Sequence, residues 1–159
     1  MRRRIITTLL FFFSLSLIHS GPVTAQQRRE IKVYLVALND NGKMGKKIGC
    51  EDSLVAVKRT VRTGASLLKA AIQELLSTPA EVGDNPKLQN FWQGRNLKVR
   101  SVVIRNSTAT IRLSGEVFVA GVCDEPRIQS QIEQTAKQFP KVKRVRVFIG
   151  KRTLADAIR

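Results

Sequence analysis

From Ile31 to Leu38 the chain is dominated by β-branched, aromatic and aliphatic residues, which predicts a first strand. Val55, Val57 and Val61 alternate through residues 53–61 and predict a second. Between the two, residues 39–52 hold Asn, Asp, three Gly and three Lys, the composition of a polar connection. The period then changes from two to three and four. Leu67, Leu68, Ala71, Ile72, Leu75 and Leu76 predict a helix that Gly64-Ala65-Ser66 opens and Pro79 stops. Residues 77–96 are a long polar connection carrying Phe91-Trp92. Unstructured loops of that length are uncommon in compact domains, so it is either held by its aromatics or functional. The plainer reading tucks Trp92 over the edge of the core, because aromatic side chains bury large areas.

Residues 97–105 and 108–114 flank Asn106-Ser107, a hairpin signal that also accounts for the glycosylation-like Asn106-Ser107-Thr108. Asp124-Glu125-Pro126 begins a second helix, with Asp124 read as its cap and Pro126 in the first turn, where a missing N–H does no harm. Ile128, Ile132, Ala136 and Phe139 form its apolar stripe, Pro140 stops it, and residues 142–149 make a last strand. The order is β-β-α-β-β-α-β with each helix apolar on one side. This predicts an α+β two-layer sandwich, a mixed sheet with both helices on one face.

The other face of that sheet is informative. A two-residue turn at Asn106-Ser107 sets Arg105 opposite Thr108, Val103 opposite Thr110 and Ser101 opposite Arg112, so Val102, Ile104, Ala109, Ile111 and Leu113 point to the core. In the last strand Val145, Val147 and Ile149 point inward. The first two strands sort Ile31, Val33, Leu35, Ala37, Val55, Val57 and Val61 the same way. Left outside are Lys32, Lys58, Arg105, Arg112, Arg144 and Arg146, with Tyr34 and Phe148 among them: a candidate polyanion face. A slip of one residue inverts the assignment. The alternative is that these cations merely solvate an exposed surface.

Charge sharpens this picture. The 159 residues include 28 Lys+Arg against 12 Asp+Glu, a net +16, while 43% of them are hydrophobic, so the charge sits on something folded. Three arginines at residues 2–4, an apolar run from Ile5 to Ile18 and small residues up to Ala25 are the layout of a secretory signal peptide cleaved after Ala25. An uncleaved anchor is the alternative, although the run falls short of the roughly 20 residues that span a bilayer. Removing 1–25 takes away three Arg, no acid and His19, the only histidine, and leaves 25 Lys+Arg against 12 Asp+Glu, or +13. The expected layout is a signal peptide over 1–25, a polar lead-in over 26–30, one domain over 31–150 and a basic tail over 151–159. The expected location is outside the cytoplasm, periplasmic or secreted, with no transmembrane segment in the mature chain. Export argues against nucleic acid as the counterpart and toward an envelope protein or an envelope polyanion: anionic lipid, acidic polysaccharide or cell wall. The sequence does not set the oligomeric state.

Without histidine, Ser-His-Asp and Cys-His catalysis and the common His-based zinc sites drop out. Cys50 and Cys123 in an oxidising compartment read as a disulfide, which would close a loop of about 70 residues at roughly 4 kcal/mol of chain entropy. Two free thiols are the alternative. Glu51-Asp52 and Asp124-Glu125 flank these cysteines and could gather into a cation site, but capping and local charge balance are the plainer roles. Ser66-Leu67-Leu68-Lys69 matches the S-x-x-K of serine acylases, yet no S-D-N or K-T-G accompanies it, and a helix start accounts for Ser66. Gly45-Lys46 lacks the rest of a phosphate loop. The residues call for no catalytic group, no cofactor and no metal.

Ser53-Leu54-Val55-Ala56-Val57, then Gly64-Ala65-Ser66 opening a Leu/Ala helix that ends at Leu75-Leu76-Ser77-Thr78-Pro79, resembles the GerMN domain, the sporulation and spore germination module of bacterial envelope proteins. Ala109-Thr110-Ile111-Arg112-Leu113-Ser114-Gly115-Glu116 resembles that family's strand ending in a small polar turn. Gln131 to Phe139 with Val145-Arg146-Val147-Phe148-Ile149-Gly150 resembles its closing helix and strand. The resemblance covers roughly 31–150. It implies an exported or lipid-anchored, non-catalytic α/β module, similar to the ring-building folds of envelope complexes and used for protein–protein assembly. This chain departs from it in having one copy, no lipid-attachment cysteine, the Cys50/Cys123 pair and a strongly basic balance.

Overall fold

A computed structural model describes residues 27–62, 66–84 and 87–159. The expected signal peptide lies outside the described residues, as do Gly64 and Ala65 of the helix opening. The chain runs β1 (Arg28–Ala37), β2 (Lys46–Lys47), β3 (Ser53–Arg62), α1 (Leu67–Ser77), β4 (Glu81–Val82), β5 (Leu88–Gln89), β6 (Gly94–Arg105), β7 (Thr108–Val117), α2 (Asp124–Lys137), β8 (Arg144–Ile149), β9 (Arg152–Thr153) and α3 (Leu154–Ala157). The α+β class stands. The strands, however, divide into two sheets where the alternation predicts one: β2-β3-β1-β5-β4 and β6-β7-β8-β9. Long-range pairing makes that division: β6, β7 and β8 pair with one another, and none of them pairs with β1 or β3.

Each sheet's local register follows its alternation. Along β1 and β3, Ile31, Val33, Leu35 and Val61 are buried, while Lys32 opposes Lys58 on the outer surface. In the β6–β7 hairpin Arg105 pairs with Thr108, Val103 with Thr110 and Ser101 with Arg112, as the two-residue turn requires. Asn106 and Ser107 both adopt positive φ, 47° and 58°, the left-handed pair that matches the twist of the flanking strands. β8 then returns parallel to β7, with Ile111 beside Val147 and Leu113 beside Ile149.

Both helices touch both sheets and each other, so the apolar faces of all four share one core. Ser66 accepts the Lys69 N–H and starts α1. At its other end Asn90, buried, donates to the Leu75 and Thr78 carbonyls. Trp92 is fully packed and donates its indole N–H to the Ile128 carbonyl at 2.9 Å, so the long connection after α1 is held by its aromatics. α2 does more than cover a face. Gln131, Thr135 and Gln138, one helical stripe, bond the free edge of β1: Thr135 and Gln138 accept the Tyr34 and Lys32 N–H groups, and Gln138 and Gln131 donate to the Lys32 and Tyr34 carbonyls. An edge that would otherwise expose unpaired backbone is closed by side chains.

Two boundaries are corrected. The lead-in over 26–30 overlaps β1, which already starts at Arg28. The expected tail over 151–159 continues the fold, because Leu154 and Ile158 are buried in the core and β9 pairs with Phe148 and Ile149. Among the described residues the core, both sheets and the disulfide all lie between residues 28 and 158, so these residues build a core among themselves. Among the described residues no helix is long and apolar enough to cross a membrane.

Candidate anion-binding face

On β7, Ala109, Ile111 and Leu113 fill the core, which turns Thr110, Arg112 and Ser114 outward. The parallel register with β8 brings Arg144, Arg146 and Phe148 beside Thr108, Thr110 and Arg112 on that outer face. β6 adds Arg105 opposite Thr108. Arg112 lies over the Phe148 ring, 4.8 Å from its centroid, a cation–π contact that fixes the guanidinium on the sheet surface. Arg144 donates to Thr108 Oγ1 at 3.1 Å and to the Asn106 carbonyl, which holds it over the hairpin end.

Two further cations complete the face and escape the alternation argument. The register of β6 against β7 shifts between Val99 and Ser101. Beyond that bulge Lys98, opposite Ser114, and Arg100, which donates to Ser114 Oγ at 2.8 Å, also point outward. The sequence carries a partial signal: apolar residues stand at 97 and 99 and resume at 102–104, and the step of three from 99 to 102 marks the extra residue. Lys98, Arg100, Arg105, Arg112, Arg144 and Arg146 are all exposed, and among the described residues none forms an ion pair.

The remaining expected members lie elsewhere. Lys32, Tyr34 and Lys58 sit on the outer surface of the other sheet, where Lys58 pairs with Glu30 at 3.1 Å. The single basic face expected from alternation is therefore two surfaces, because its strands belong to two sheets. Among the described residues, the β6–β8 surface gathers six cations that form no ion pair.

The acidic groups behave in the opposite way. Cys50 and Cys123 form the expected disulfide, with Cα atoms 5.9 Å apart. It brings Asp52 and Asp124 together, and Arg127 fills the space between them: Nε lies 2.6 Å from Asp52 Oδ2 and Nη1 lies 3.2 Å from Asp124 Oδ1. The guanidinium also rests on Phe91, 4.8 Å from the ring centroid. Asp124 is not the α2 cap expected from sequence. Cys123 holds the cap position without a side-chain bond, and Asp124 Oδ2 instead accepts the Ala120 N–H at 2.7 Å. Among the described residues no group of three or more His, Cys, Asp or Glu is placed to hold a metal.

The sequence profile of the Germane family, described as sporulation and spore germination, matches residues 32–154. The chain belongs to that family. Two solved structures are similar to this Germane chain. The tandem GerMN domains of the sporulation protein GerM from Bacillus subtilis align with a TM-score of 0.57 and 19% identity, over 84% of this chain and 43% of that one. The first GerMN domain of the same protein aligns with a TM-score of 0.57 and 21% identity, over 79% and 86% of the respective chains. At these identities the likeness is one of fold. The chain spans less than half the length of the tandem protein. No curated protein matches the chain by sequence. Within the Germane fold of this chain, Ser66 is committed to starting α1, since its Oγ accepts the Lys69 backbone N–H at 3.2 Å.

Proposed function

We propose that this Germane chain is an exported, non-enzymatic interaction module of the cell envelope, cleaved after Ala25, and that it contacts its counterpart through the outer face of β6, β7 and β8. One observation carries the reading: six exposed cations on one sheet face, none ion-paired among the described residues. Unpaired like charges held side by side repel one another, and an anionic counterpart relieves that repulsion. The non-enzymatic reading rests on chemistry that is missing or committed elsewhere. Residues 26–159 contain no histidine, Ser66 caps a helix, and Asp52 and Asp124 grip Arg127.

A second reading, binding of an anionic polymer of the envelope, is favoured by the Arg112–Phe148 stack, which offers a charged and an apolar surface at once. Retention from an envelope extract at low and high salt separates the two. A defined protein that stays bound at high salt supports assembly, whereas salt-sensitive retention on wall material or polysaccharide supports the polymer. Changing Arg112, Arg144 and Arg146 together to Gln is expected to abolish retention in either case. Unchanged retention by that variant at low salt would overturn both readings.

A further inference from the structure

The loop between β7 and α2 reads Phe118-Val119-Ala120-Gly121-Val122, five residues without a polar side chain, and every one is exposed. Phe118 is 54% exposed and Val122 91%, where side chains of this kind ordinarily find cover. The loop is held in shape. The Phe118 N–H donates to the Gln93 carbonyl at 2.7 Å, the Ala120 N–H to Asp124 Oδ2 at 2.7 Å, and the Asp124 N–H to the Gly121 carbonyl at 3.0 Å. Arg127 grips the other Asp124 oxygen, and Cys123 is bonded to Cys50.

We propose that Phe118–Val122 is a membrane-docking tip that enters the headgroup region of an anionic lipid surface. Three features fit a bilayer interface. The apolar side chains point out of the fold. Three of the loop's backbone groups are bonded internally, which reduces the cost of leaving water. The third is charge: the disulfide staples the loop to the 39–52 connection, which carries exposed Lys43, Lys46 and Lys47 and an exposed Met44 against one exposed acid, Glu51. Gly49 packs against Pro126 at the start of α2, so the two loops form one end of the molecule. Apolar insertion flanked by lysines is the arrangement that binds anionic lipid. A second copy of this chain fits poorly, since it would bring the two lysine loops together. The tip lies at the end of β7 opposite the Asn106-Ser107 turn, so docking there leaves the basic sheet face open to the side.

Sedimentation of residues 26–159 with phosphatidylglycerol-containing and pure phosphatidylcholine vesicles tests the proposal. Stronger partition to the anionic vesicles is expected. F118S/V122S should lower it at least tenfold without changing Tm, as both side chains are exposed. K43Q/K46Q/K47Q should lower it about fivefold per lysine on anionic vesicles alone. A F118W variant should show a blue-shifted emission on anionic vesicles, which reads insertion and distinguishes it from adsorption through the sheet arginines. Equal partition of F118S/V122S and the parent, or no shift for F118W, overturns the proposal. So does a self-association in analytical ultracentrifugation that F118S/V122S abolishes without any effect on vesicle binding.

Discussion

The ends of two networks of charge in this chain teach opposite lessons. Beneath the disulfide, Asp52, Asp124 and Arg127 satisfy one another, and Asp52 is completely buried. On the β6–β8 face, six cations stand in water without a carboxylate partner among the described residues. Both contain arginine stacked at 4.8 Å on a phenylalanine, Arg127 on Phe91 and Arg112 on Phe148, so the stacking does not distinguish them. What differs is whether the charge is spent inside the molecule. A closed network belongs to stability, and an open one is available to a counterpart.

The sharpest way to break that comparison is to open the closed network. Changing Arg127 to Met leaves Asp52 buried and unpaired, which costs roughly 3–5 kcal/mol. For a chain of this size Tm should fall on the order of 10 °C or more. Adding Asp52→Asn should recover part of the loss, because the group left behind is then uncharged. A Tm for Arg127→Met within about 2 °C of the parent, a shift that corresponds to well under 1 kcal/mol, would show that the cluster is ornamental.

The open network predicts the reverse. The Arg112, Arg144 and Arg146 triple Gln variant, expected to lose all retention on envelope material, should keep its stability within about 0.5 kcal/mol for each substitution. Relief of mutual repulsion could even raise Tm slightly. Thermal melts of the same preparation used for retention check this. A large drop in Tm would mean that these arginines hold the sheet together, and the comparison would lose its second half.

How far the residues foretold this division depends on the range of the interaction. The hairpin register and the outward direction of Arg105, Arg112, Arg144 and Arg146 follow from alternation and a two-residue turn, both local. The helix start at Ser66 is equally local. Separation into two sheets is not, because it turns on which strands meet across long stretches of chain, and it sets Lys32, Tyr34 and Lys58 on a different surface from the one alternation assigns. Gln131, Thr135 and Gln138 stand outside the apolar stripe of α2, yet they close the edge of β1. Nothing in a helical period says that polar residues will meet a strand backbone. Arg127 likewise gains its role only once the disulfide has drawn residues 50 and 123 together. Pairing of those cysteines follows from the compartment, and with it the approach of Asp52 and Asp124; the arginine that joins them does not.

The smallest expected effect concerns acid. Asp40, in the connection stapled by the disulfide, is held below its ordinary pKa of 3.8, first by the Ser53 hydroxyl and next by the Met44 N–H. A carboxyl depressed in the folded state contributes stability above its unfolded pKa and loses it as pH falls through the folded one. Acidification below about pH 4 should therefore weaken the 39–52 connection, seen as faster amide exchange at Met44 relative to its intrinsic rate, and Asp40→Asn should remove that dependence. The basic face offers no carboxylate partner among the described residues, and its charges are guanidinium and ammonium groups. Contact through its five arginines should then respond to acid only as far as the anion itself is protonated. If the acid dependence of retention instead followed Asp40→Asn, the disulfide end and the sheet face would be one site, and the division between them would fail.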